Sequence, residues 1–198
     1  MPTLTPEQQL RRHLRRQRAA LPTHTQQQLA TRMVKQLRKQ AVFRNARHIA
    51  LYLPVRGEAD PRALRHCALP KQRFYLPVLS PFGENRLWFT QWNRNTRFRT
   101  NRFRIPEPLP RAGQQRAAAW LDLVITPLLA FDTQGSRLGM GGGFYDRTFA
   151  FKRQQNRPRP YLVGIAYTFQ QVPHLTRFAW DIPLDAVVTE AGFFRFRP

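Results

Sequence analysis

Cysteine is almost missing: Cys67 stands alone in 198 residues. A single thiol excludes an intrachain disulfide and any zinc site built on cysteines. Lysine is nearly as rare, with only Lys35, Lys39, Lys71 and Lys152. Acids are outnumbered, 11 Asp+Glu against 33 Lys+Arg, so the formal net charge is +22 and almost all of it is arginine. No apolar run approaches the roughly 20 residues of a membrane-spanning helix. The opening stretch, MPTLTPEQQLRRHLRR, lacks the apolar segment of a secretory signal. These absences predict a cytoplasmic chain with no membrane contact. The 5 histidines are dispersed without metal-ligand spacing, and no Ser/His/Asp arrangement stands out for nucleophilic catalysis. Glycine is sparse as well, 10 in all. Gly139, Gly141, Gly142 and Gly143 nevertheless fall in one stretch, LGMGGGFYDR (138–147).

Hydrophobic residues make up 42% and aromatics 12% of the chain, enough for a packed core and against disorder. The length suits a single domain, 1–198, with a helical N-terminal segment (about 5–40) packed on it. Thr5-Pro6-Glu7 is a helix start: a capping hydroxyl, a proline at the first helical position and an acid at the positive end of the dipole. Leu21-Pro22 ends that helix, and a second one begins at Thr23 or Thr25. HIALYLPV (48–55), RFYLPVL (73–79), RLWFTQW (86–92), LDLVITPLLAF (121–131), YLVGIAY (161–167) and DAVVTE (185–190) read as strands. A short helix after Asp60-Pro61 and a helix over 144–155 intervene, and 93–117 reads as loop. Helices alternating with apolar strands predict an α/β fold, a three-layer α/β/α sandwich with a largely parallel sheet. The run at 121–131 is apolar enough to be central and covered on both faces.

The glycine cluster follows that buried strand and precedes a helix, where open α/β sheets bind ligands. Glycines let backbone N–H groups approach phosphate oxygens, and Arg137 adds a bidentate cation. A turn tightened for packing explains the glycines equally well. The stretch is neither a Walker A loop nor Gly-x-Gly-x-x-Gly, because Phe144 occupies the last place. Asp146 beside a phosphate needs a cation between them, for which Mg²⁺ is suited, or else it complements the helix dipole. Asp181 is a second candidate carboxylate. Glu58 follows the strand at 48–55 and either meets a ligand or is solvated. The positive charge attracts polyanions. The arginine–aromatic run at 86–106 offers a nucleic-acid-binding alternative, which predicts RNA affinity with a steep salt slope, about one unit of log K per phosphate contact. No nucleic-acid signature accompanies it, so such binding is expected to be incidental and electrostatic.

The stretch DLVITPLLAFDTQGSRLGMGGGFYDR (122–147) resembles the 5-formyltetrahydrofolate cyclo-ligase family. LYLPVRGEAD (51–60), YLPVL (75–79), WDIPLDAVVTE (180–190) and the arginine-rich LRRHLRRQRAAL (10–21) match in order. The resemblance implies an ATP- and Mg²⁺-dependent enzyme that closes 5-formyltetrahydrofolate to 5,10-methenyltetrahydrofolate, through a phosphorylated N-formyl intermediate, and works as a monomer. It implies that Arg11, Arg137, Leu138, Gly139, Met140, Gly141, Gly142, Gly143, Phe144 and Tyr145 line the ATP site, with Arg137 and Tyr145 catalytic. It implies folate contacts at Leu53, Glu58, Met140 and Phe144, a reduced folate that can be polyglutamylated, and Mg²⁺ on Asp146 and Asp181. Some members carry Arg at the place of Met140, Lys at Gly142 and Tyr at Phe144. In this chain the phosphoryl charge then falls to Arg137 and Arg11, with Arg147 or Arg12 as further sources.

Overall fold

The computed structural model describes residues 4–110, 113–155 and 159–196. Helix α1 spans Pro6–Ala20, opened by Thr5, whose hydroxyl accepts from Gln8 N while the Gln8 side chain accepts from Thr5 N. Helix α2 spans Thr23–Arg38, with Pro22 at its cap and no capping side chain. A one-turn α3, Ala41–Asn45, follows. The remaining elements in chain order are β1 (His48–Ala50), β2 (Arg73–Leu79), β3 (Leu87–Gln91), β4 (Phe98–Thr100), β5 (Pro106–Pro108), β6 (Gln115–Arg116), β7 (Leu123–Pro127), β8 (Ala130–Phe131), β9 (Arg137–Leu138), α4 (Phe144–Thr148), α5 (Phe151–Gln155), β10 (Tyr161–Ile165), β11 (Ala186–Val188) and β12 (Phe193–Arg195). Among the described residues no helix is long and apolar enough to cross a membrane.

One sheet runs β12-β11-β10-β7-β1-β2-β3-β6. Its five middle strands are parallel, and the outer pairings β11–β12, β2–β3 and β3–β6 are antiparallel. The expected α/β fold with a largely parallel sheet is present. Alternate residues along each strand feed opposite faces. Ile49, Phe74, Leu123, Ile125, Val163 and Val188 pack with Met33, Val34 and Leu37 of α2 and Phe43 of α3. Ala50, Tyr75, Val124, Leu162 and Val187 pack on the other face with Phe89, Leu128, Phe131 and Phe149. β7 is buried on both faces, as its composition predicts. A third, small cluster joins Leu10 and Leu14 of α1 to Ala130, Leu138, Phe169 and Leu175, so α1 lies against the β8–β9 hairpin.

Four expectations need correction. The strand expected over 48–55 pairs only at 48–50, because the chain then turns out over the sheet end. The run 121–131 is not one strand: β7 stops at Pro127, and β8 pairs back with β9 as a separate hairpin. The stretch 93–117, of which 111–112 lie outside the described residues, holds β4, β5 and β6, bound by backbone pairing that its polar composition hides. The helix expected over 144–155 is two short helices, because Phe149 turns fully into the core between them.

Candidate functional site

The site gathers at the carboxyl ends of the parallel strands. β7 feeds the β8–β9 hairpin, whose turn is organised by Asp132. This carboxylate is 1% exposed. Its Oδ1 accepts from the amides of Gln134 and Ser136, each at 2.9 Å, and its Oδ2 from Leu175 N at 3.0 Å. Burial pushes its carboxyl upward, but the amides of Ser136, Leu175 and Gln134 outweigh that and hold it below the ordinary range. The hairpin therefore delivers Arg137 and Leu138 to a fixed place, and the glycine loop follows.

In that loop three carbonyls, those of Gly139, Gly142 and Gly143, are occupied and the amides are not. Gly139 O accepts from Arg11 Nε at 3.2 Å; Gly142 O accepts from Arg147 Nη1 at 2.6 Å and from Asn85 Nδ2 at 3.2 Å. Among the described residues, none of the amides of 139–143 donates to a protein acceptor. Gly141 and Gly143 sit at φ +97° and +63°, where side chains are rarely found. At Gly142 a methyl group would lie 2.7 Å from the Phe144 ring, so the glycine lets that ring fold back. Phe144 in turn meets Phe103 edge-on at 5.7 Å. Consecutive free amides of this kind are the backbone feature on which anion-binding nests are built. The helix after it is a single turn, so its dipole adds little.

Arg137 Nη2 donates to Asp146 Oδ1 at 2.7 Å, and Nη1 donates to Ile182 O. Ile182 N donates to the same Oδ1 at 3.1 Å. The chain beside Asp181 is thereby tied to Asp146, and Asp181 Oδ2 accepts from Phe178 N at 2.8 Å. The second oxygen of each carboxylate accepts no hydrogen bond from a described residue. Carboxylate oxygens such as these are hard donors of the kind Mg²⁺ takes, one or two at a time, with waters filling the rest of its shell.

Glu58 is buried under the turn Val55–Glu58, where Glu58 N donates to Val55 O and Glu58 Oε2 accepts from Val55 N, each at 3.1 Å. Its Oε1 lies 3.8 Å from Arg18 Nη1 on α1, and both side chains are almost fully enclosed. Burial pushes the Glu58 carboxyl above its ordinary value, with Val55 N–H and Arg18 pulling back. Tyr145 lies between the two groups electrically: burial and the Glu58 charge push its phenol up, and Arg137 draws it down. Leu53 packs at the rim of the α2 core. Met140 is exposed, but its sulfur meets Arg15 Nη2 at 3.9 Å. Arg11 contacts the loop through Gly139 O; Arg12 is exposed, and Arg15, not singled out from sequence, lies inward instead. Asp132 and Arg18 were also missed. The Phe-Asp turn carried a signal for Asp132; no sequence signal separates Arg18 from its neighbouring arginines.

Residues 4–190 match the model of the 5-formyltetrahydrofolate cyclo-ligase family. The 5-formyltetrahydrofolate cyclo-ligase of Haemophilus influenzae is 40% identical over 182 residues, covering 89% of this chain and 94% of that protein. The one from Escherichia coli K12 is 38% identical over 177 residues, covering 89% and 96%. The NMR structure of Aquifex aeolicus 5,10-methenyltetrahydrofolate synthetase superposes with a TM-score of 0.81 at 30% identity, covering 98% of this chain and 94% of that one. The chain belongs to the 5-formyltetrahydrofolate cyclo-ligase family.

Proposed function

We propose that this protein converts 5-formyltetrahydrofolate and ATP to 5,10-methenyltetrahydrofolate, ADP and phosphate. The observation that carries the phosphate half of this reading is the glycine loop, where side chains hold the carbonyls of Gly139 and Gly142 while the five consecutive amides of 139–143 donate to no described residue. The formyl oxygen attacks the γ-phosphorus and the bond to ADP breaks. N10 then attacks the activated formyl carbon, loses its proton, and phosphate departs with the former formyl oxygen. No protein nucleophile is required, so the residues act by positioning and charge.

In this reading the amides of Gly139, Met140, Gly141, Gly142 and Gly143 bind phosphate oxygens, with Leu138, Phe144 and Tyr145 walling the ATP site. Arg137 and Arg11 supply positive charge at its ends. Asp146 and Asp181 would hold Mg²⁺, which neutralises phosphate charge when bound. Leu53, Met140 and Phe144 contact the folate, and Glu58 accepts from the N–H groups of its pteridine ring. Surplus arginine steers two anionic substrates toward the site.

Mixing the protein with 5-formyltetrahydrofolate, ATP and Mg²⁺ is expected to raise near-ultraviolet methenyl absorbance; folded protein that gives none rejects the reading. A pH dependence follows from Glu58. Its folded-state value lies above the ordinary 4.5. Its ionisation therefore disfavours the folded state, a cost absent below the ordinary value and complete above the raised one. The anion that accepts from the pteridine is lost as pH falls through the raised value. Affinity for 5-formyltetrahydrofolate should drop there in the wild type, with no such inflection in Glu58→Gln. A flat wild-type profile removes Glu58 from that role.

A further inference from the structure

Among the described residues, the buried side-chain atoms without a hydrogen-bond partner are Arg15 Nε, Arg18 Nε, Arg18 Nη2, Tyr167 Oη and Thr90 Oγ1. Thr90 sits apart, on β3. The other four are N–H or O–H groups of α1 and of the residue two places after β10. An unpaired buried donor costs free energy, so such groups are few in native proteins and need a reason. Here they are concentrated in one place. Arg11, Arg15 and Arg18 fall three and four residues apart, on one side of α1. That side runs from Gly139 O, held by Arg11, past Met140, met by Arg15, to Glu58, met by Arg18. The helix thus joins the free amides of the glycine loop to the buried carboxylate.

The arrangement of Arg18 is specific. Nη1 is anchored on Leu128 O at 3.3 Å, just past the end of β7. The free pair is Nε and Nη2, the side-on edge of the guanidinium, which suits oxygen acceptors. Tyr167 is fully enclosed, and burial pushes its phenol up to about 12 while the Arg18 charge draws it down. The Tyr167 hydroxyl is therefore a proton donor at neutral pH. Glu58 is the carboxylate that Arg18 faces, and it leaves these four donors unused. Gly57 seats the turn on α1 so closely that a methyl group there would lie 2.8 Å from Arg18 O. The turn that carries Glu58 is thus packed directly on the backbone of Arg18.

We propose that Arg18 and Tyr167, with Arg15 beside them, form the acceptor-recognising half of the folate subsite and bind the N5-formyl oxygen, the atom that receives phosphoryl. The inference rests on the function proposed above. On the pteridine the N–H donors, the ring carbonyl and the N5 substituent follow one another around one edge. Glu58 Oε1 lies 3.8 Å from Nη1 of the guanidinium whose Nε and Nη2 are free, so an acceptor and unused donors are neighbours here. Arg15 then lies between this oxygen and the glycine loop, on the path of the transferred group.

The test uses Tyr167→Phe, which removes only an oxygen that bonds to nothing, and Arg18→Lys, which keeps a cation for Glu58 but loses the side-on edge. Binding without ATP is measured for 5-formyltetrahydrofolate and for 5-methyltetrahydrofolate, which keeps the ring and lacks the formyl oxygen. Thermal unfolding is recorded alongside. The expected result is that each variant weakens the formyl ligand by about tenfold or more. The methyl ligand is unaffected, and Tyr167→Phe unfolds no earlier than wild type. Unchanged affinity for the formyl ligand, or an equal loss for both ligands, overturns the proposal. A wild-type protein that binds folate but forms no methenyl product rejects the activity itself, which is a separate outcome.

Discussion

Arg137→Met is expected to lower kcat/KM by about two to three orders of magnitude, the scale seen when one preorganised charge-stabilising group is removed. The Arg137 side chain is 6% exposed and holds two partners at once, Asp146 and the Ile182 carbonyl. Methionine replaces its aliphatic stem but offers neither charge nor donors. The loss therefore unpins Asp146, releases the chain at 181–182 and removes a cation beside the free amides. Arg137→Lys should recover only part of the activity, because a single ammonium does not span both partners with the planar fork of a guanidinium. Steady-state kinetics with each substrate varied in turn tests this. A methionine variant within about threefold of wild type leaves Arg137 a structural pin and nothing more.

The second large effect is on stability. Asp132→Ala strips three amides, those of Ser136 and Leu175 buried and that of Gln134 part-buried, of their shared acceptor, and an uncompensated loss of this kind amounts to about 3–5 kcal/mol. Asp132→Asn should fall between, since an amide has one acceptor oxygen where the carboxylate uses two. The pH dependence has the opposite sign to that of Glu58. The folded-state value of Asp132 is lowered, so its contribution is present above the ordinary 3.8 and is lost as pH falls through the lowered value. Urea unfolding across that window should show a stability gap between wild type and the alanine variant that closes at the acid end. A constant gap would mean that the charge of Asp132 is not what holds the hairpin.

Local chemistry made part of this architecture readable. Thr5, Pro6 and Glu7 carry the α1 start within three residues, and β2 matches the apolar run at 73–79 end to end. β7 announces itself by an apolar run broken only by Thr126. The glycine loop was visible as a cluster, and its anion-binding character was arguable from setting alone. What escaped depends on partners far along the chain. Nothing near residue 139 says that its carbonyl will be taken by Arg11, 128 residues away. Arg15 and Arg18 look like any arginines of a crowded helix until α1 is laid on the β8–β9 hairpin. Phe149 reads as helical until the core behind it draws the ring inward and splits α4 from α5. Apart from Phe98, the strands within 93–117 consist of polar and proline residues, and only their neighbours' backbones define them.

The two rims of the eight-stranded sheet bear on how this protein keeps company with itself. One rim is the three-residue β12 and the other is the two-residue β6. Each exposes a very short row of unsatisfied backbone groups, and each carries an arginine, Arg195 and Arg116. A strand from a second molecule would find little to zip against and would bring its own surplus of positive charge. Truncated, charged borders on a chain with +22 net charge guard against lateral polymerisation. The hydrophobic parallel strands between them can thus stay rich in valine, isoleucine and leucine without becoming a template for fibres.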